Sequence, residues 1–303
     1  MTRSATETVP LRSSGHPAGY AALLLHSTIS SFTFIVAKYA LSVMPVVFLA
    51  LARFSAASLV LAGIWLARGG RPGEFSRRDW GRLALLGLLA VPLNQGLFLF
   101  GLQRSSPAHA ALFYATTPLF VTLLAALRRE DRFTWGRVAG VGVALAGVVL
   151  VLLDRGLALD RRFLAGDVLL LLAVVCWALY SVEGRALMGG HSATTVTAVS
   201  LGLGTLMALP AAPWALSGLG PGPLPAAAWG AVAFLALVTS VLGYLLWVWC
   251  LSHTEASRVA VFSNLQPVLT TLLAWWLFRE SFAPHFFLGG VLVLGGVVLV
   301  QRT

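Results

Sequence analysis

Gly147-Val148-Val149-Leu150-Val151 returns, letter for letter, as Gly296-Val297-Val298-Leu299-Val300, 149 residues later. Held at that offset, the chain overlays itself at many other points. Thr122-Leu123-Leu124-Ala125 falls on Thr271-Leu272-Leu273-Ala274, Pro118 on Pro267, Ala111 on Ala260, Phe113 on Phe262 and Gly140 on Gly289. The repeat unit is about half of the 303 residues and is built of apolar stretches long enough to cross a bilayer. A duplicated membrane half is a construction many transporters share, because two similar bundles can exchange conformations about a site between them.

Composition sets the class. The chain is 58% hydrophobic and 11% charged, with a mean hydropathy of +0.86. A soluble domain carries about 25% charged residues, so these residues cannot clothe a soluble surface. The net charge of +10 comes from twenty arginines and one lysine, Lys38. The arginines sit in short loops between apolar segments, which reads as membrane orientation and argues against a nucleic-acid partner. Cys176 and Cys250 lie inside apolar segments and read as small packing residues.

Ten apolar segments follow a polar tail over residues 1–17: 19–41, 46–67, 83–102, 108–127, 136–153, 166–187, 193–213, 228–251, 256–278 and 284–300. Each is near the roughly 20 residues that cross about 30 Å of hydrocarbon. Lipid offers the backbone no hydrogen bonds, so the segments must be helices. The first is longer than a signal-peptide core and has no basic region directly before it, so it reads as a helix. With a cytoplasmic N-terminus, 14 arginines fall on the inner side and 5 on the outer side, and both termini are cytoplasmic. Five helices per copy is an odd number, so the second copy enters the membrane upside down. The expected fold is an all-α polytopic membrane protein with ten transmembrane helices in two inverted five-helix repeats, residues 18–153 and 154–303, after a disordered cytoplasmic tail.

A transporter site needs polar groups at membrane depth and helices broken to expose backbone. Pro92, Pro118 and Pro267 are expected as kinks inside helices three, four and nine, the last two repeating each other. His26, Ser30 and Phe34 recur every four residues on one face of helix one. Asn94, Gln95 and Phe98 follow Pro92; Tyr114 and Thr117 precede Pro118; Asn264 and Gln266 precede Pro267. Trp177, Tyr180 and Glu183 recur every three residues on helix six, and Tyr244 and Trp247 lie on helix eight. These are the candidate substrate-binding residues. Rings with few charges suit a small amphiphilic or aromatic substrate.

Each also has a plainer reading. A neutral polar group can simply bridge helices, for about 0.6–2 kcal/mol, and a proline can be a packing kink. Glu183 either takes a proton or an amine or pairs with an arginine at the interface. Lys38 and Arg53 either snorkel to the outer interface or attract a substrate carboxylate. His26 titrates near neutral pH unless it is held by hydrogen bonds. The paired glycines of segments five and ten read as close helix contact.

The ordered set of small motifs resembles the EamA family of the drug/metabolite transporter superfamily, over roughly residues 18–301. Lys38, Pro45 and Arg53 resemble its opening. Ser105 to Pro118 and His253 to Pro267 resemble its twice-occurring proline helix, and Glu130 and Glu280 its punctuation after helices four and nine. Gly166-Asp167 and Trp177-Ala178-Leu179-Tyr180 resemble the start of its second copy. The resemblance implies a ten-helix carrier in the plasma (inner) membrane with a central cavity. It further implies mostly outward transport of amino acids or other small metabolites, and homodimers formed through the glycine-rich helices; no cofactor is expected.

Other classes fit less well. No phosphate-cradling G-x-x-x-x-G-K-[ST] loop is present, so the chain carries no ATP motor of its own, and no His/Cys spacing suggests a metal. An intramembrane hydrolase would rest on Gly190-His191-Ser192 and His253, but no second glycine follows Ser192 and nothing supplies an oxyanion hole. A channel or sensor would want a row of polar groups along one path, which the scattered set does not form.

Overall fold

The structure, a computed structural model, describes residues 17–127, 134–152, 161–188, 190–220, 222–253, 259, 262–279 and 281–302. Several expectations lie outside these residues: the tail over 1–16, the join of the two copies at 153–154, Arg128, Arg129, Arg132, Arg155 and Arg258, the repeat position Ala260, and the glutamates Glu130 and Glu280.

No strand occurs among the described residues. The first copy contains α1 (Pro17–Val43), α2 (Val46–Ala67), α3 (Arg77–Leu88), a π-helical stretch (Leu89–Gln95), α4 (Gly96–Arg104), α5 (Pro107–Tyr114), α6 (Thr117–Leu127) and α7 (Trp135–Leu152). The second contains α8 (Arg161–Leu187), α9 (Ala193–Ala208), α10 (Ala212–Ser217), α11 (Ala226–Ala233), a second π-helical stretch (Phe234–Gly243), α12 (Tyr244–His253), α13 (Leu265–Phe278) and α14 (Pro284–Arg302).

Local chemistry marks the helix starts. Ser76 accepts from the Asp79 amide while Asp79 accepts from the Ser76 amide, a capping box at α3. Ser106 caps α5 with Pro107 in the first turn, and Ser192 caps α9. Among the described residues, seven helical stretches are long and apolar enough to cross a membrane, and Leu265–Phe278 and Pro284–Leu299 are shorter apolar helices. Leu59, Leu127, Trp135, Trp214 and Trp276 stay exposed, an arrangement suited to lipid and its interfaces rather than to water. The chain is thus a polytopic, all-helical membrane protein.

The packing pairs the two copies reciprocally. A Cβ on Gly147 would stand 2.6 Å from the Gly289 carbonyl oxygen, and one on Gly296 would stand 2.6 Å from the Gly140 carbonyl oxygen. The 149-residue offset turns one contact into the other, so α7 and α14 run antiparallel with their glycine faces together. The same exchange relates α1 on α13 to α8 on α6, and α2 on the second π stretch to α9 on the first. The spans Arg77–Arg104 and Ala226–His253 are offset by 149 residues at both ends, and each contains a π stretch.

The prolines act at helix breaks. Pro92 lies within the first π stretch, where its missing N–H removes one rung of the regular ladder. Pro118 and Pro267 lie in the first turns of α6 and α13, after a turn at Ala115–Thr116 and a 3-10 turn at Phe262–Asn264 respectively. An N–H absent from a first turn costs nothing, since it has no helical partner there.

Candidate functional site

Both π stretches border one cavity. From α1 come His26, Ser30, Thr33 and Phe34, and from α2 comes Arg53. Asn94 and Gln95 end the first π stretch, Phe98 follows on α4, and Tyr114 closes α5. The second copy supplies Trp177 from α8, Thr239 from its π stretch, Tyr244 from α12 and Gln266 from α13. The volume is about 60 Å³. One water needs roughly 10–15 Å³ on that measure, so there is room for several waters or a compact small molecule.

A continuous chain of hydrogen bonds organises the polar side. Asn94 Nδ2 donates to the Tyr114 hydroxyl (2.9 Å) and to the Ala173 carbonyl (2.7 Å). Gln95 Nε2 donates to Asn94 Oδ1 (2.7 Å). Arg53 Nη1 donates to Gln95 Oε1 (2.9 Å), and Arg53 Nε donates to Ser240 Oγ (2.7 Å) and the Leu235 carbonyl (3.2 Å). The chain runs from α5 through the first π stretch and α2 to the second π stretch. Two carbonyls of the second π stretch accept side-chain hydrogen bonds here. Leu235 O receives Arg53, and Gly243 O receives His26 Nδ1 at 3.0 Å. Because Nδ1 must donate to that carbonyl, Nε2 of the neutral ring accepts from Ser30 Oγ, 3.3 Å away. Thr33 spends its proton on the Ile29 carbonyl, so Thr239 donates to it across 2.9 Å.

Aromatic rings wall the apolar side. Phe34, Phe98 and Tyr114 meet edge to face at 5.6–5.8 Å. Trp177 lies 5.3 Å from each of Tyr180, Tyr244 and Trp247. Such contacts add about 0.5–1.5 kcal/mol each beyond burial and stiffen the wall.

Of the residues singled out from sequence, His26, Ser30, Phe34, Asn94, Gln95, Phe98, Tyr114, Trp177, Tyr244 and Gln266 line this cavity. The others stand behind it. Trp247 is buried 4.9 Å from the His26 ring, and Tyr180 is fully buried against Trp177. Thr117 is buried and donates to the Tyr114 carbonyl. Glu183 is half-buried further along α8, and Asn264 ends the 3-10 turn before α13. Thr33 and Thr239 also line the cavity without having been singled out, and Arg53, whose sequence reading is divided, lines it too. Thr33 shares the helical face of Ser30 and His26, so its spacing was legible. Thr239 stands beside Ser240 in an apolar run, with no neighbouring proline to announce it. Arg53 reads from sequence either as snorkelling to the interface or as attracting a substrate carboxylate, and at 1% exposed it does not reach the interface. Lys38 is elsewhere, donating to the Leu102, Gln103 and Ser105 carbonyls at the end of α4, where a cation suits the helix dipole.

Fold and cavity together are those of a membrane transporter. The EamA-like transporter family model matches residues 17–153 and again 164–302, and the chain belongs to that family. It is 29% identical to "Uncharacterized transporter YyaM" of Bacillus subtilis (strain 168), with 92% of each chain covered. An "Uncharacterized transporter" of Archaeoglobus fulgidus is 30% identical, covering 91% of this chain and 95% of that one. A protein of Streptantibioticus cattleyicolor named "Probable terminal-alkyne amino-acid exporter" is 28% identical over 84% of this chain and 83% of its own. One solved crystal structure shares the fold with a TM-score of 0.66 at 22% identity, covering 93% of this chain and 96% of that one.

Proposed function

We propose that the protein is a secondary-active exporter of small metabolites, with amino acids or related compounds favoured. It works by alternating access about the cavity. The observation that carries this reading is a cavity walled by both copies at their paired π stretches, with exchangeable packing around it. Two inverted five-helix repeats, with both termini cytoplasmic in the plasma membrane, are the topology in which such an exchange would alternately open the cavity to either side. A homodimer would use outer faces of α7 and α14, because Gly140, Gly147, Gly289 and Gly296 are occupied by one another.

The test is uptake of a labelled panel of amino acids and related metabolites into proteoliposomes, with and without an inward pH gradient and with trapped counter-substrate. Saturable uptake of one class is expected, and its gradient dependence separates proton coupling from exchange. Trp177→Ala removes an 8%-exposed ring from the cavity wall. It should lower the initial rate about tenfold or more, equivalent to about 1.4 kcal/mol, while reconstitution stays at the wild-type level. A wild-type rate would take Trp177 out of the site, and no uptake above empty liposomes across the panel would remove the carrier reading.

A further inference from the structure

We infer that Arg53 anchors an anionic group of the substrate, so that the cavity selects a small carboxylate with an apolar body rather than a cation. The inference rests on the transporter reading and names the chemistry of its cargo.

Arg53 is among the largest fully buried side chains, yet its acceptors are all neutral: Gln95 Oε1, Ser240 Oγ and the Leu235 carbonyl. Among the described residues no carboxylate pairs with it. A buried unpaired charge costs several kcal/mol, and a guanidinium cannot escape that cost by losing its proton. Its donors are also incompletely used. Of five N–H groups, Nε makes two contacts and Nη1 one, while Nη2 makes no hydrogen bond among the described residues. Arg53 borders the cavity, so the free fork suits a two-oxygen anion bound side-on.

A second observation lies beside the first. The Tyr244 hydroxyl is buried, belongs to a cavity-lining residue and makes no close hydrogen bond among the described residues, with the Gln95 side chain as its polar neighbour. An orphaned buried hydroxyl costs about 1–3 kcal/mol; donating to a bound carboxylate would remove that cost. No aspartate or glutamate lines the cavity, so an ammonium finds no counter-charge and the substrate's amine is dispensable. Phe34, Phe98 and Trp177 supply the apolar wall.

The test uses isosteres of one skeleton: leucine, 4-methylpentanoate, 4-methylpentanamide and 3-methylbutylamine. Binding is measured by calorimetry on detergent-solubilised protein, and transport of the same compounds in proteoliposomes. The acid and leucine should bind about tenfold or more tighter than the amide, with the amine weakest, and Arg53→Gln should bring the acid-to-amide ratio close to one. Equal binding of acid and amide, a ratio unchanged in Arg53→Gln, or transport of other compounds with no binding of this series would each overturn the anchor. If Arg53→Gln does not fold, Tyr244→Phe decides: a several-fold lower ratio supports the anchor and an unchanged ratio removes it. Acid-selective binding without transport would sustain the anchor and sink the carrier reading.

Discussion

Asp167 shows what single residues contribute away from the cavity. It is 3% exposed, accepts from the Ser105 hydroxyl through Oδ1, and holds His109 Nδ1 3.2 Å from Oδ2. Lys38 grips the Ser105 carbonyl at the same place. The cluster ties the α4–α5 turn to the first turns of α8, joining the two copies. Asp167→Ala should therefore destabilise the fold by about 1–3 kcal/mol through orphaned donors, read as a lower thermal unfolding midpoint in detergent. An unchanged midpoint would show that the cluster does not hold these helices. From sequence, Asp167 was legible only as part of a motif resembling the start of the second copy. Its partners lie 58 and 62 positions away, and no local pattern pairs residues at that separation.

Element-scale behaviour follows from backbone approach and backbone breakage. The glycines of α7 and α14 read as contact residues from sequence, and packing distinguishes those that touch from those that do not. A side chain on Gly296 would meet the backbone of Gly140 and Ala144, whereas one on Gly142 meets nothing within 4 Å. Gly296→Val should cost about 1–3 kcal/mol by overpacking. Gly142→Val should stay within about 0.5 kcal/mol. Thermal unfolding of the two variants side by side checks this, and equal losses would refute the antiparallel contact. The π stretches were only half legible. Pro92 announces the first, but the second, Phe234–Gly243, contains no proline. The polar groups that meet its carbonyls, Arg53 and His26, come from distant helices.

Whole-molecule organisation is where orientation enters. On the proposed orientation with both termini cytoplasmic, Ser217 would lie outside and Ser76 inside, and both are exposed. In a background with Cys176 and Cys250 replaced, a cysteine at Ser217 should react with an impermeant thiol reagent applied to intact cells, and one at Ser76 should not. Reversed labelling would invert the assigned topology. The same orientation would put the cluster of Lys38, Ser105, His109 and Asp167 toward the outer face and Glu183 toward the inner one, with the cavity between them.

Apolar length and the 149-residue recurrence determined by themselves that the chain is helical, membrane-embedded and duplicated, because lipid allows a spanning backbone few other forms. Helical spacing and prolines also picked out most of the cavity's lining, since residues on one helix face stay together wherever that helix packs. Only the tertiary structure decided the fate of the charges and the hydroxyls. Whether Arg53 reaches the interface or the interior depends on what α2 packs against, and the second π stretch, packed on α2, offers it the Leu235 carbonyl and the Ser240 hydroxyl inside. The same holds for Thr239, whose role exists only because α1 brings Thr33 within 2.9 Å.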